Sequence, residues 1–190
     1  MTDAGLDVHL PIETERLVLR AHRMDDVDDL AAFHGDPEVV RHVPWPLRDR
    51  TATEKTLQTK LGQTSLGEPG QWLVLAVEHR ATGTVIGEVL LKWASDRQGE
   101  VGFALARSYQ GQGYAAEAAT AMLRLGFDDL GFHRITGVVI DGNEDSARLL
   151  LRLGFRQEAR LVDGVHFKGA WATQLVFAML EDEWRSPGRG

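Results

Sequence analysis

The residues best placed to do chemistry lie in one run, Glu100–Ala116, reading EVGFALARSYQGQGYAA. A strand over Glu100–Ala106 leads into a loop holding Gly111 and Gly113, and an Ala-rich helix follows, from about Gly113 to Leu130. A glycine loop at a helix N-terminus points backbone N–H groups outward, where the aligned peptide dipoles favour negative charge. The chemistry expected is the cradling of a phosphate-bearing cofactor. Gly111-Gln112-Gly113-Tyr114-Ala115-Ala116 also satisfies the dinucleotide pattern G-x-G-x-x-G/A. A Walker A loop is excluded, because no Gly-Lys-Ser/Thr follows.

The elements that must hold this loop follow from hydrophobic patterning. Arg16–Arg20 reads as a strand after a polar lead-in, and Met24–Phe33 as a helix with its acidic residues early. A new turn is expected at Asp36-Pro37. Pro44-Trp45-Pro46 precedes a helix over roughly Arg50–Leu66, capped by Thr51 or Thr53. Gln71–Glu78 and Thr84–Trp93 form a hairpin. Its second arm places Val85, Gly87, Val89, Leu91 and Trp93 on one face, with Ile86, Glu88, Leu90 and Lys92 on the other. In the helix after the loop, Ala115, Ala118, Ala119, Met122 and Leu125 face inward. Glu117, Thr120, Arg124 and Asp128 form its solvent stripe. His133–Ile140 is a strand parallel to the Glu100 strand. Asn143–Leu153 is a helix capped by Asn143, and a strand runs from Gly154-Phe155 to about Val162. A loop, Asp163–Gly169, leads to a last strand, Trp171–Glu181.

This order implies an α/β fold on a mixed sheet, antiparallel early, with one parallel βαβ step, in a single domain over residues 1–190. A dinucleotide fold needs repeated βαβ units and an acidic residue about 20 positions after the loop. Only one such unit follows here, and antiparallel hairpins precede it. A net charge of -7 argues against nucleic acid as a partner and would more readily accept a cationic amine. The absence of cysteine excludes disulfides, thiolate zinc sites and a Cys nucleophile. No His pair has metal-ligand spacing, so no metal is expected. No apolar run reaches membrane-span length, and the N-terminus lacks the pattern of a signal peptide, so a cytoplasmic protein without a membrane partner is expected.

With two motifs in order, a family can be named. Gln110-Gly111-Gln112-Gly113-Tyr114-Ala115 resembles the Q/R-x-x-G-x-G/A motif of the GNAT N-acetyltransferases. Asn143-x-x-Ser146, then Leu150 and Gly154-Phe155, resembles that family's second signature. The opening Thr14-Glu15-Arg16-Leu17-Val18-Leu19-Arg20 and the ending Leu175–Trp184 are similar to its RimJ/RimL-type branch. The resemblance covers about residues 12–184, with mobile ends expected at 1–11 and 185–190. It implies the GNAT fold, with about seven strands, a splayed central parallel pair and about four helices.

The resemblance also implies roles. Acetyl-CoA would set its pyrophosphate on the N–H groups of Gln110, Gly111, Gln112, Gly113, Tyr114 and Ala115. Its pantetheine arm would pair with the backbone of Phe103, Ala104 and Leu105 on a free strand edge, with a bulge at Gly102. A backbone N–H near Phe103 would hold the developing oxyanion, and Asn143 would touch the pantetheine through its amide. Glu100 is the first candidate for the base, with Glu88 or water as alternatives. Positioning alone could also suffice for an α-amine, whose pKa near 8 lies well below the 10.4 of lysine. Tyr109 and Tyr114 fall too early to supply the acid usual in the family, which leaves Ser146 to stabilise the thiolate. His42, His166, Trp45, Trp93 and Trp171 are candidates to wall the acceptor slot. Thr173-Gln174 stands where relatives carry an acidic pair.

The function expected is transfer of acetyl from acetyl-CoA to a primary amine by direct attack in a ternary complex. The leading acceptor is a protein N-terminal α-amine. A small amine (amino acid, polyamine or antibiotic), a non-catalytic acyl-CoA-binding module and a Rossmann-type dehydrogenase are the alternatives. A homodimer is implied by resemblance alone.

Overall fold

The structure is a computed structural model, described for residue 6 and residues 8–186. Eight strands form one sheet: β1 (Ile12–Glu13), β2 (Leu17–Arg20), β3 (Trp72–His79), β4 (Val85–Ser95), β5 (Gln98–Leu105), β6 (Arg134–Ile140), β7 (Arg156–Phe167) and β8 (Ala170–Leu180). Their spatial order is β1-β2-β3-β4-β5-β6-β8-β7, and β5–β6 is the parallel pair. Six α-helices accompany them among the described residues: α1 (Val27–His34), α2 (Pro37–Val40), α3 (Arg50–Lys60), α4 (Tyr114–Arg124), α5 (Glu144–Arg152) and α6 (Glu181–Arg185). The mixed, mostly antiparallel sheet agrees with the expected fold class, with one strand and two helices more than expected. The lead-in is not loose where it is described. Leu6, Val8 and Leu10 pack against the main core, and Leu6 N–H donates to Leu66 O at 2.7 Å. The rest of the expected mobile ends, residues 1–5, 7 and 187–190, lies outside the described residues.

The sheet is covered on both faces, which explains the nearly continuous apolar runs in β3 and β4. One face packs Leu73, Leu75, Val89, Leu91 and Val101 against Ala118 and Met122 of α4. The other packs Ala76, Val85 and Ala104 against Leu30, Phe33 and Leu57 of α1 and α3. A β-bulge decides which residue of β4 goes where. The β3–β4 register steps from Val77↔Gly87 to Glu78↔Val85, leaving Ile86 as the extra residue. Val85 therefore joins the α1/α3 face and Ile86 the α4 face, the reverse of strict alternation. No register shift occurs at Gly102, which pairs regularly with Leu90, so the bulge expected there is absent.

Local chemistry accounts for most element ends. Asp49, not Thr51 or Thr53, caps α3 by accepting from Ala52 N–H at 2.8 Å, and that helix stops at Lys60. Asn143 caps α5 as expected, accepting from Ser146 N–H at 3.2 Å. The helix after the glycine loop runs on as a π-helical turn over Leu125–Asp129. The segment Asp163–Gly169 is not a loop. β7 continues through it to Phe167, past an irregularity between Leu161 and Val165, and a tight turn at Lys168-Gly169 starts β8.

Candidate active site

The site arises where β5 and β6 part. They pair only through Gln98–Glu100 with Arg134–Thr136, whereas β6 stays with β8 along all seven residues to Ile140. Beyond Glu100 the facing edge of β5 has no partner strand among the described residues. Gly137 of β6 borders the gap, and Leu150 of α5 sits where a Cβ there would be, 2.9 Å away. The resulting cleft has a volume of about 270 Å³ and cuts through the sheet, so residues of both faces line it.

Alternation along β5 fixes which backbone groups face the gap. Ala106 N–H donates to Ile86 O of β4 at 2.8 Å, so Ala104 and Gly102 also turn their polar groups to β4. Phe103 and Leu105 then turn theirs toward β6. Leu105 O is already taken by the Gln110 side chain at 2.9 Å. The open donors are therefore Phe103 N–H and Leu105 N–H. The backbone of Ala104, expected on the pantetheine rail, is committed to β4, and only its side chain reaches the cleft.

The glycine loop turns the chain at one end of this edge. Gly111 and Gly113 have φ of 73° and 85°, which a Cβ would strain, and Gly113 is the N-cap of α4. Lacking a side chain, it caps nothing, so the orphan N–H groups of Gly113, Tyr114, Ala115 and Ala116 stay available to an anion. Gln110 differs from the expectation: its N–H bonds Arg107 O at 3.2 Å and its amide bonds Leu105. Gln112 is anchored through Nε2 to Ser108 O at 2.8 Å. The free edge and the open helix start are the fit expected for the pantetheine and pyrophosphate of acetyl-CoA.

Three residues outside the motif, Thr14, Arg16 and Glu117, hold the loop. Arg16 donates from Nη1 to Gln112 O at 2.9 Å, and its guanidinium lies 4.4 Å from the Tyr114 ring centre. Its Nε donates to Glu117 Oε2 at 2.7 Å, and Thr14 Oγ1 donates to Glu117 Oε1 at 2.6 Å. Glu117 is thus no solvated stripe residue. Burial would push its carboxyl up, but the bonds from Thr14 and Arg16 hold it below the usual carboxylate range.

On the opposite wall, Glu100, Phe103, Asn143 and Ser146 come together along the cleft. Asn143 spends its oxygen on the helix cap, leaving its NH2 group, and the Ser146 hydroxyl is not needed as a cap. Glu100 stands where the strands part, opposite Thr136 of β6, and has no ion-pair partner among the described residues. Glu88 shares its face of the sheet, roughly 13 Å away along the strands. It is fully engaged: Lys60 Nζ donates to Oε1, His34 Nε2 lies 3.2 Å from Oε2, and His22 Nε2 lies 3.1 Å from Oε1. Burial would raise the Glu88 carboxyl, but these histidines and the Lys60 charge hold it well below its usual range. Burial also lowers Lys60 and His34. A carboxylate so committed is a poor proton acceptor.

The loop between α2 and α3 brings His42, Trp45 and Arg48 to the same cleft. The β7–β8 turn reaches across to it, where Lys168 Nζ donates to Val40 O at 2.5 Å and Trp45 O at 3.0 Å. Of the other aromatic candidates, Trp93 packs against the core and donates to Ser95 O at 2.9 Å. His166 and Trp171 pair edge-to-face on the hairpin, outside the cleft lining. Among the described residues no cluster of acidic, His or Cys side chains could hold a metal, and no helix is long and apolar enough to cross a membrane. Patterning did not reveal Arg16, Arg48, Lys60 or Lys168. Only the Thr14-Glu15-Arg16 opening gave a signal, and it came as a resemblance.

Comparison with known proteins agrees with this geometry. Residues 16–156 match the family model described as Acetyltransferase (GNAT) domain. The chain is 30% identical over 174 residues to a Bacillus licheniformis protein named N-acetyltransferase p20, covering 90% of this chain and 96% of that one. It is 27% identical over 188 residues to the [Ribosomal protein uS5]-alanine N-acetyltransferase of Escherichia coli, covering 94% of each. Among solved structures, a GNAT-family acetyltransferase from Bacillus anthracis superposes with a TM-score of 0.82 at 22% identity, covering 91% of this chain and 99% of that chain. The parted strands and the open helix start are thus those of a known fold, and the chain belongs to the GNAT family of acetyl-CoA-dependent N-acetyltransferases, alongside relatives of RimJ type.

Proposed function

We propose that this N-acetyltransferase acts on the α-amine of a protein N-terminus, with Glu100 as the proton acceptor. The observation that carries the choice of acceptor is the likeness, along 94% of both chains, to an enzyme named for an alanine of a ribosomal protein. Physical chemistry supports it. An α-amine with a pKa near 8 is partly neutral at physiological pH, so a modest base is enough.

Acetyl-CoA supplies the activated acetyl thioester. The Gly113–Ala116 N–H groups would hold its diphosphate, and the free edge at Phe103 and Leu105 would hold its extended arm. Phe103 N–H would donate to the carbonyl oxygen as negative charge gathers there. Glu100 would take the proton released from the attacking amine, directly or through water. The Asn143 NH2 group would orient the arm. The Ser146 hydroxyl, on the first turn of α5, would donate to the departing sulfur, with water supplying the final proton.

The test is release of CoA thiol over a panel of N-terminal peptides and small amines. Peptides with a free α-amine should give the highest kcat/KM, and N-terminally blocked peptides none. Turnover confined to small amines would replace the acceptor. Tight acetyl-CoA binding without turnover of any amine would make the chain a binding module.

A further inference from the structure

We infer that the acceptor carries an anionic group, a carboxylate or a phosphate, that docks on Arg48 while its amine lies toward Glu100. This rests on the reading of the cleft as the acceptor site. The argument comes from how the charges lining the cleft are paired. Lys60 and Glu88 neutralise each other through a direct contact. That leaves Glu100 on β5 and Arg48 on the α2–α3 loop, neither with an ion-pair partner among the described residues.

Arg48 is unusual in this chain. Among the described residues most arginines have an acidic oxygen within 4.0 Å, including Arg16, Arg20, Arg134 and Arg156. The others without one, Arg23, Arg124 and Arg152, are exposed to water. Arg48 alone is half-buried and unpaired. Burial lowers its pKa, and only the more distant Glu88 charge opposes that. The Trp45 ring lies 5.7 Å from its guanidinium carbon. A planar fork of five N–H donors, partly stripped of water and with no carboxylate of the described residues within ion-pair distance, is suited to a bidentate oxyanion. Lys60, near the same Trp45 ring, and Glu88 together carry no net charge, so Arg48 sets the sign of that end.

The cleft therefore has an unpaired carboxylate at one end and an unpaired guanidinium at the other. An acceptor with both an ammonium and an anion matches this layout. One with an amine alone leaves Arg48 desolvated and unanswered. The anion could be an acidic side chain near a peptide N-terminus, the α-carboxylate of a free amino acid, or a phosphate ester. All three present the same oxygen pair.

The experiment compares acceptors that differ in one charge: Asp-led against Asn-led peptides, a free amino acid against its amide, and O-phosphoethanolamine against ethanolamine. In at least one pair the anionic member should have a kcat/KM higher by about tenfold or more, the scale of a charge-assisted hydrogen bond. Arg48→Gln should bring that ratio close to one, and Arg48→Lys should retain part of it. The pair showing the effect identifies the source of the anion. Equal rates within every pair, or a preference that survives Arg48→Gln, would overturn the inference. Calorimetry gives a readout that needs no turnover, by titrating N-acetylaspartate, N-acetylasparagine and O-phosphoethanolamine into protein saturated with CoA. Binding of an anionic probe that Arg48→Gln abolishes supports Arg48 even where no amine is acetylated, in which case only the reading as an active enzyme fails. Anionic probes that bind wild type and Arg48→Gln alike, or bind neither, count against Arg48.

Discussion

Arg16 and Glu117, 101 residues apart in sequence, meet at 2.7 Å and clamp the first turn of α4 to the start of the sheet. The clamp has an electrostatic purpose. Glu117 lies one turn into the helix whose N-terminus is proposed to receive the diphosphate, and an unneutralised carboxylate there would repel it. Arg16 removes that repulsion and pins the Gln112 carbonyl away from the anion site. Arg16→Ala should therefore raise the KM for acetyl-CoA about tenfold, the scale of a charged hydrogen bond, with a smaller change in kcat. Glu117→Gln keeps the shape and removes the repelling charge, so its KM should stay near that of wild type or fall. Steady-state kinetics with varied acetyl-CoA checks both, and a larger effect in Glu117→Gln than in Arg16→Ala would contradict the electrostatic account.

Glu100 stands where β5 and β6 part and has no ion pair among the described residues to hold it. Replacing it with Gln should leave acetyl-CoA affinity unchanged and lower kcat by about 10²-fold, the range of general base catalysis. The loss should shrink as pH rises, because more of the amine is then already neutral. A near-normal kcat for Glu100→Gln at neutral pH would move the proton to water and leave catalysis to positioning.

Much of this arrangement was legible because it depends on local backbone needs. Gly111 and Gly113 require positive φ, Asn143 caps α5, and the apolar runs mark β3 and β4. These signals fall within a few residues of each other. Features assembled from distant elements left no such trace. Glu88 reads as one polar residue in an alternating strand, yet it collects His22, His34 and Lys60 from three other segments. The Ile86 bulge reverses two assignments because a single inserted residue carries no pattern of its own. Asp163–Gly169 reads as a loop because Asp163 and Gly164, exposed within the strand, interrupt any alternation. Arg48 is invisible for a related reason: what distinguishes it is a missing partner.

The Lys60–Glu88 pair predicts a stability cost. Glu88→Gln leaves a buried ammonium facing a neutral amide, a defect of about 3–5 kcal/mol. Lys60→Met in the same background should restore part of it, which urea unfolding of the double-mutant cycle would measure. The pH dependence has a definite sign. Glu88 is held well below its ordinary value of 4.5, so the unfolded chain takes up that proton first and stability falls as pH drops below 4.5. His34, whose pKa is lowered from 6.5 mainly by burial, acts in the same direction from about pH 6.5 downward. The acid limb should flatten in the Glu88→Gln/Lys60→Met protein. An unchanged limb would place the acid sensitivity elsewhere.

Lys168 ties the far hairpin to the loop that carries His42, Trp45 and Arg48. Its ammonium donates to two backbone carbonyls, Val40 O and Trp45 O, and burial lowers its pKa with no carboxylate to offset that. Neither carbonyl belongs to the sheet, so the bridge does little for the fold and much for the position of His42, Trp45 and Arg48. Lys168→Met keeps the length of the side chain and removes both bonds. With each worth about 1 kcal/mol and the loop free to move, the acceptor KM should rise by about tenfold. The KM for acetyl-CoA should stay constant, because the glycine loop and β5 edge lie on other elements. Melting temperature should change by only a few degrees. The prediction turns on that split between the two substrates: equal increases in both KM values would mean the hairpin supports the whole cleft rather than the acceptor wall alone.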